Sequence, residues 1–276
     1  MKQTHHNFDQ ETKGWVDLIH PREPSKRLTT DLDARWVIIG AGFTGLSCAR
    51  RLAELNPNEK IILLEAREIG QNASGRNSGY AVAHSHFSGG YQKSQLEHYQ
   101  RIDRINQTGL NSLKSIIENS QIECDYKDSG IYHMAADKNS LEECGQFEDY
   151  LQKREIEHTK LSKDQINMEL GTSWYLKGVK VKNGALVQPA KLVFGLADSL
   201  PSNVELYENS PVLQIDQGRV NTIKTPSSIV KAEKIIMACN YEAIAKGNLK
   251  QRVAVSYTHL RAHETRGNLV CRLLLE

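Results

Sequence analysis

The apolar positions of this chain fall into short blocks whose spacing changes from one element to the next. Trp36 to Ile39 is an unbroken apolar run, which predicts a strand buried on both faces. Leu46, Ala49, Leu52, Ala53 and Leu55 then recur at helical spacing, and Ile61 to Leu64 is a second apolar run. Strand, helix and strand in this order predict a βαβ unit with parallel strands. Further along, Ile102, Ile105, Leu110, Leu113, Ile116 and Ile117 give Leu96 to Ser120 the pattern of a long helix, or of two. Strands are expected around Glu123 to Ala135, and a helix over Leu141 to Arg154. Gly178 to Val187 reads as a strand pair turning at Asn183-Gly184, and Gln188 to Ser199 as a helix. Val204 to Tyr207, Val212 to Asp216, Val220 to Thr225 and Lys234 to Ala238 complete the strands. Ahead of all these, Met1 to Ala34 reads as an extended arm. Trp15, Val16, Leu18 and Ile19 can dock it on the body, while Pro21 and Pro24 interrupt any helix.

Chemistry enters at the first turn. Gly40-Ala41-Gly42-Phe43-Thr44-Gly45 joins the first strand to its helix, and the second strand ends on Glu65, twenty residues beyond Gly45. This is the dinucleotide fingerprint in its required context. Gly40 permits the tight strand-to-helix turn, Gly42 lets backbone N–H groups approach a pyrophosphate, and Gly45 lets the helix pack closely. The helix N-terminus adds partial positive charge. Glu65 stands where a carboxylate can accept hydrogen bonds from the ribose hydroxyls of an adenosine. The unit is expected to bind an adenine dinucleotide.

Downstream of Glu65 the chain enters Ala66-Arg67-Glu68-Ile69-Gly70-Gln71-Asn72-Ala73-Ser74-Gly75-Arg76-Asn77-Ser78-Gly79, where an NAD dehydrogenase would normally begin another crossover helix. Rich in small residues, this loop can wrap an extended cofactor. On composition alone it can equally be a solvated loop with an incidental arginine.

The succession GAGFTGL, LLEAREIG and ASGRNSG resembles the FAD-dependent amino-acid and amine oxidoreductases of the D-amino acid oxidase superfamily. Within it, the gamma-glutamylputrescine oxidase branch, alongside glycine and sarcosine oxidases, is the nearest resemblance. It covers the chain from about Trp36 to about Arg252. Cys124 to Tyr132 resembles the entry into that branch's substrate-domain sheet, and Gly184 to Pro189 its return to the FAD domain. Ala232 to Asn240 resembles the strand and turn near the cofactor, with Cys239-Asn240 a departure from the family's usual residues there. The resemblance implies an α/β chain, a Rossmann-like FAD-binding domain interleaved with a mixed-sheet substrate domain. The segments implied are an arm (1–34), FAD-binding parts (35–95 and 184–253) and a linking and substrate part (96–183).

The resemblance also implies roles. Gly42, Phe43 and Thr44 would contact the pyrophosphate and Glu65 the ribose. Ser74, Arg76 and Asn77 would lie near the pyrophosphate and the middle of the flavin, and the Val212 backbone would meet the adenine. The substrate would be a small amine or amino acid, oxidised by hydride transfer to flavin N5. Imine hydrolysis and hydrogen peroxide would follow, and no catalytic triad is required. His84 and His86 are weak catalytic candidates, and Tyr80 and Tyr132 candidates for a pocket wall. Loop hydrogen bonding and strand packing are the commoner uses of such residues.

From about Ala254 the chain reads AVSYTHLRAHETRGNLVCRLLLE, which resembles translated sequencing-adapter read-through. Residues 254–276 are therefore expected to be a non-native tail on a C-terminally truncated chain. His259, His263 and Glu264 do not form HExxH, and no metal site is expected there. At 276 residues the chain can bury a large core. A net charge of +2 without a basic stripe argues against a nucleic-acid partner. Five cysteines without CxxC spacing fit free thiols in a reducing compartment. No apolar run has the length of a membrane span, and no signal segment opens the chain, so a cytoplasmic location is expected. Two alternatives stay open: an NAD-binding dehydrogenase, and an inactive fragment whose unpaired sheet edges favour aggregation.

Overall fold

The computed structural model describes residues 14–83 and 96–240, together with the backbone of 253–256 and 270–273. His84, His86, His259 and His263 lie outside the described residues. The chain divides into two compact units. Residues 1–78, 122–124 and 188–276 make the first, and residues 79–121 and 125–187 the second.

The first unit opens with β1 (Leu32–Ile39), α1 (Phe43–Leu55) and β2 (Ile61–Leu64), followed by a single 3₁₀ turn at Ala73–Gly75. The second unit runs β3 (Tyr80–Val82), α2 (Leu96–Asn119), β4 (Ile131–Ala135), α3 (Lys138–Lys153), β5 (His158–Ser162), α4 (Lys163–Leu170), β6 (Lys177–Val181) and β7 (Gly184–Leu186). The chain then re-enters the first unit through α5 (Pro189–Asp198), β8 (Val204–Tyr207), β9 (Gln214–Asp216), β10 (Asn221–Lys224) and β11 (Ile229–Met237). Two last strands, β12 (Val253–Ser256) and β13 (Val270–Leu273), pair antiparallel with each other in the segment expected to be foreign.

Six strands of the first unit form one sheet in the order β8-β2-β1-β11-β10-β9. The first four are parallel and the last two antiparallel. Successive side chains of a strand point to opposite faces, and both faces here are apolar. Val37, Ile39, Ile62 and Leu64 join Leu28, Tyr207, Val212, Ile223 and Val230 in one core cluster. The alternate residues Ile38, Ile61 and Leu63 are also fully buried, and α1 packs on β1, β2 and α5. Each such side chain stabilises the fold by about 1.5–3 kcal/mol.

In the second unit β6 is the centre of a three-stranded antiparallel sheet, β4-β6-β5. The mixture of strand directions thus falls in the six-stranded sheet of the first unit. Beneath β4-β6-β5 lies α3, whose Cys144, Phe147, Tyr150 and Leu151 meet Ala135, Val179 and Val181. Capping boxes at Asp137/Ser140 and Ser162/Gln165 start α3 and α4. The long helix expected over Leu96 to Ser120 is one helix, α2.

One expectation is corrected. Gly178 to Val187 is not a hairpin. Asn183 does adopt the left-handed conformation of a turn, φ +69°. However, β6 already has β4 on one edge and β5 on the other, so β7 pairs with β3 in a separate ladder. The Ile131 side chain occupies the space beside Gly184, 2.3 Å from where a Cβ would stand.

Glu148, buried on α3, accepts from Lys160 (2.5 Å) and Lys177 (2.8 Å). These hydrogen bonds hold its carboxyl below the usual value of 4.5. A depressed folded-state pKa contributes stability that is present above pH 4.5 and is lost as the pH falls through the lower folded value. Both lysines reach solvent, so Glu148→Gln is expected to cost about 1 kcal/mol at pH 7. In urea titrations across pH, the gap from wild type should close below pH 4.5; a gap constant with pH would contradict this assignment.

Candidate cofactor site

The glycine turn lies at the carboxyl ends of three adjacent parallel strands. Gly40 N–H donates to the Leu64 carbonyl of β2 (2.8 Å), and Ala238 N–H, just beyond β11, donates to the Ile39 carbonyl (2.8 Å). This is where open parallel sheets bind ligands. Gly40 has φ +100°, and a Cβ there would stand 2.6 Å from the Ala238 carbonyl oxygen. A Cβ on Gly45 would stand 1.8 Å from the Gly40 carbonyl oxygen, so α1 begins pressed against the turn. Gly42 is the N-cap of α1 and supplies no side-chain hydrogen bond, and the first turn holds no acidic residue. The partial positive charge of this helix end is therefore not countered from within the helix.

Glu65 follows β2. Its Oε2 accepts from Ala41 N–H in the glycine turn (2.8 Å) and its Oε1 from Arg67 N–H (3.2 Å). A carboxylate has acceptor capacity for more than these two backbone bonds.

The ASGRN loop is fastened onto the same turn. Phe43 N–H donates to Ser74 Oγ (3.0 Å), and a Cβ on Gly42 would stand 2.7 Å from that oxygen. Gly42 is thus constrained by the loop, a close approach that the fingerprint alone did not announce. Asn72 caps the 3₁₀ turn through Ala73 N–H. Asn77 Nδ2 donates to the Ala73 and Ser74 carbonyls (3.2 and 2.9 Å), giving Asn77 a role in shaping the loop. Arg76 is different. Its Nε is buried and has no hydrogen-bond partner among the described residues. A buried, unsatisfied donor on a cation marks a place for an acceptor from outside the chain.

Thr44 is exposed in the first turn of α1, and Val212 is buried in the core just ahead of β9. Tyr80 is exposed on β3. Tyr132 donates to Glu169 Oε1 (2.7 Å) and carries the Lys180 ammonium over its ring, so its hydroxyl is engaged within the second unit. Glu208 was missed in the sequence. It is fully buried, accepting from Arg22 Nη1 (2.6 Å), Ser25 N–H (2.5 Å) and Ile69 N–H (2.7 Å). Among the described residues no three His, Cys, Asp or Glu side chains converge as metal ligands, and no helix is long and apolar enough to cross a membrane.

Backbone donors at a helix start, a carboxylate at the next strand end and an arginine whose buried Nε is unsatisfied suit an adenine dinucleotide. None of these groups is a strong acid or base, so their chemistry is binding and orientation. The sequence pattern of the family described as FAD dependent oxidoreductase (DAO) matches residues 35–270. The chain belongs to that family. FAD, rather than a nicotinamide dinucleotide, is the family's cofactor.

Gamma-glutamylputrescine oxidoreductase of Escherichia coli is 29% identical over 222 residues, which are 79% of this chain and 51% of that protein. A probable oxidoreductase, OrdL, of Haemophilus influenzae is 29% identical over 215 residues, 74% of this chain and 48% of that protein. The chain therefore spans about half the length of the curated relatives it matches. Among solved structures, glycine oxidase from Geobacillus kaustophilus superposes with a TM-score of 0.67 at 17% identity, over 82% of this chain and 60% of that one. An L-amino acid deaminase from Proteus vulgaris gives 0.67 at 16% identity, over 91% and 64%. These two support the α/β fold read from the sequence.

Proposed function

We propose that this chain is the FAD-binding portion of an oxidoreductase acting on the C–N bond of a small amine or amino acid. The observation that carries the proposal is the attachment of Ser74 to the first turn of α1, with Arg76, whose buried Nε has no hydrogen-bond partner among the described residues, two residues further on. The N–H groups of Gly42 and Thr44 would donate to the pyrophosphate, Phe43 N–H being held by Ser74 Oγ, and Arg76 would neutralise its charge. Glu65 would accept from the ribose, and the Val212 backbone would meet the adenine. When bound, the flavin would supply the redox chemistry, hydride uptake at N5 from the carbon beside nitrogen, with water hydrolysing the imine and dioxygen, reduced to hydrogen peroxide, restoring the oxidised flavin. The chain's own residues would hold that group at the carboxyl ends of β2, β1 and β11.

Purified protein mixed with FAD is expected to retain a flavin absorbance band after gel filtration. Glu65→Ala removes a charged acceptor and should weaken FAD binding about ten- to a hundredfold. Failure of the wild-type chain to retain FAD would overturn the proposal. Peroxide release with γ-glutamylputrescine and with amino acids then tests turnover. FAD binding without turnover would support only the flavin-binding part of the proposal; the chain spans about half the length of the curated relatives it matches.

A further inference from the structure

The arm ahead of β1 does more than cover apolar surface. It is hydrogen-bonded directly to one end of the flavin loop, and to the carboxylate that holds the other end. At one end the Trp15 indole N–H donates to the Asn77 carbonyl (2.8 Å), and Gln188 Nε2 holds Trp15 in turn by donating to its carbonyl (2.9 Å). At the other end the arm meets the buried carboxylate of Glu208. Arg22 Nη1 (2.6 Å) and Ser25 N–H (2.5 Å) both donate to its Oε2, while its Oε1 accepts from Ile69 N–H (2.7 Å). Arg22 also reaches Asp198, the last residue of α5, through Nε (2.6 Å). Burial opposes the Arg22 charge, and the hydrogen bonds to Glu208 and Asp198 more than offset it, leaving its pKa above the ordinary value.

Ile69 and Asn77 bracket Ser74 and Arg76. The loop between them packs on α5, where Gly70 has φ +82° and Phe194 fills the space in which a Cβ would stand. From outside, the arm ties down the Asn77 end directly and the Ile69 end through Glu208. We propose that the N-terminal arm is a strap holding the loop Ile69–Asn77 in register with the first turn of α1. Trp15 and Arg22 are then positioning residues for FAD, although neither belongs to the dinucleotide fingerprint. The proposal rests on the FAD-binding reading above only for its second readout.

The test uses the full chain with two single variants. Trp15→Phe keeps the ring and removes the N–H donor; Arg22→Met keeps the length and removes the charge. The first readout needs no cofactor. Limited trypsin digestion of the apo protein, followed by mass spectrometry, reports cleavage after Arg67, just ahead of the loop, after Arg76 within it, and after Lys163 in the other unit. Both variants are expected to be cut faster at Arg67 and Arg76 with Lys163 unchanged. The second readout is FAD affinity, expected to weaken about fivefold in Trp15→Phe and about tenfold in Arg22→Met, the scale of one neutral and one charged hydrogen bond. Loop cleavage unchanged in both variants would overturn the strap. So would cleavage rising equally at all three sites, which marks general loosening instead. If the wild-type chain takes up no FAD, the cofactor proposal fails while the cleavage comparison still decides the strap.

Discussion

Gly45→Ala is expected to destabilise the protein by about 3 kcal/mol or more and to abolish FAD retention. The added methyl would stand 1.8 Å from the Gly40 carbonyl oxygen, a backbone atom with little freedom to yield. Gly40 is held from two sides, by its own N–H bond to Leu64 and by the Ala238 carbonyl 2.6 Å from where its Cβ would be. Relief therefore requires α1 to back away from the turn. That would break the Phe43–Ser74 contact and separate the helix N-terminus from the ASGRN loop. The same substitution at Gly109, within α2, meets no atom within 4 Å. There it should stabilise the protein by about 0.5–1 kcal/mol, because alanine loses less conformational freedom in a helix. Thermal unfolding of both variants, with flavin absorbance after gel filtration, checks the pair. A Gly45→Ala protein that melts with wild type and stays yellow would remove the close approach from the account.

This contrast shows why the first βαβ unit was legible in the sequence. β2 is buried on both faces, so its apolar run is continuous, and the glycines of the turn carry steric information that is local. β5 and α4 carry no such signal. Each buries a single apolar residue, Leu161 and Ile166, and one residue sets no period. The signals that were present there are the Ser162/Gln165 capping box and Gly171 at φ +68° closing α4. Similarly, β1 and β11 begin earlier than their apolar runs, because Asp33, Arg35, Lys231 and Glu233 alternate with Ala34, Ala232 and Val230 across a parallel pairing of distant segments. Asn183-Gly184 announced a turn correctly and a hairpin wrongly, since the occupancy of both β6 edges is long-range information. In the candidate site, the fingerprint glycines and Glu65 were legible for the same local reason. The unsatisfied burial of Arg76 Nε depends on how the loop folds back, and only the structure supplies it.

Glu208 is the furthest case from sequence legibility, and the second large effect is expected there. In the segment Tyr207-Glu208-Asn209-Ser210 it reads as a polar loop residue, yet its side chain is wholly buried and its arginine partner is 186 positions away. Glu208→Leu leaves Arg22 without its buried counter-charge and the N–H groups of Ser25 and Ile69 without their acceptor. Asp198 is largely solvent-exposed and offsets little of this. Removing one member of a buried, hydrogen-bonded ion pair costs about 3–5 kcal/mol, chiefly because the other charge stays behind unpaired. If that stranded charge is the cause, Arg22→Met added to Glu208→Leu should recover part of the loss. The two orphaned backbone donors keep the recovery incomplete. Urea unfolding of both single variants and the double variant measures the coupling directly. Strictly additive losses would mean that Arg22 and Glu208 stabilise the fold independently, and that the carboxylate's weight lies in the Ser25 and Ile69 backbone bonds alone.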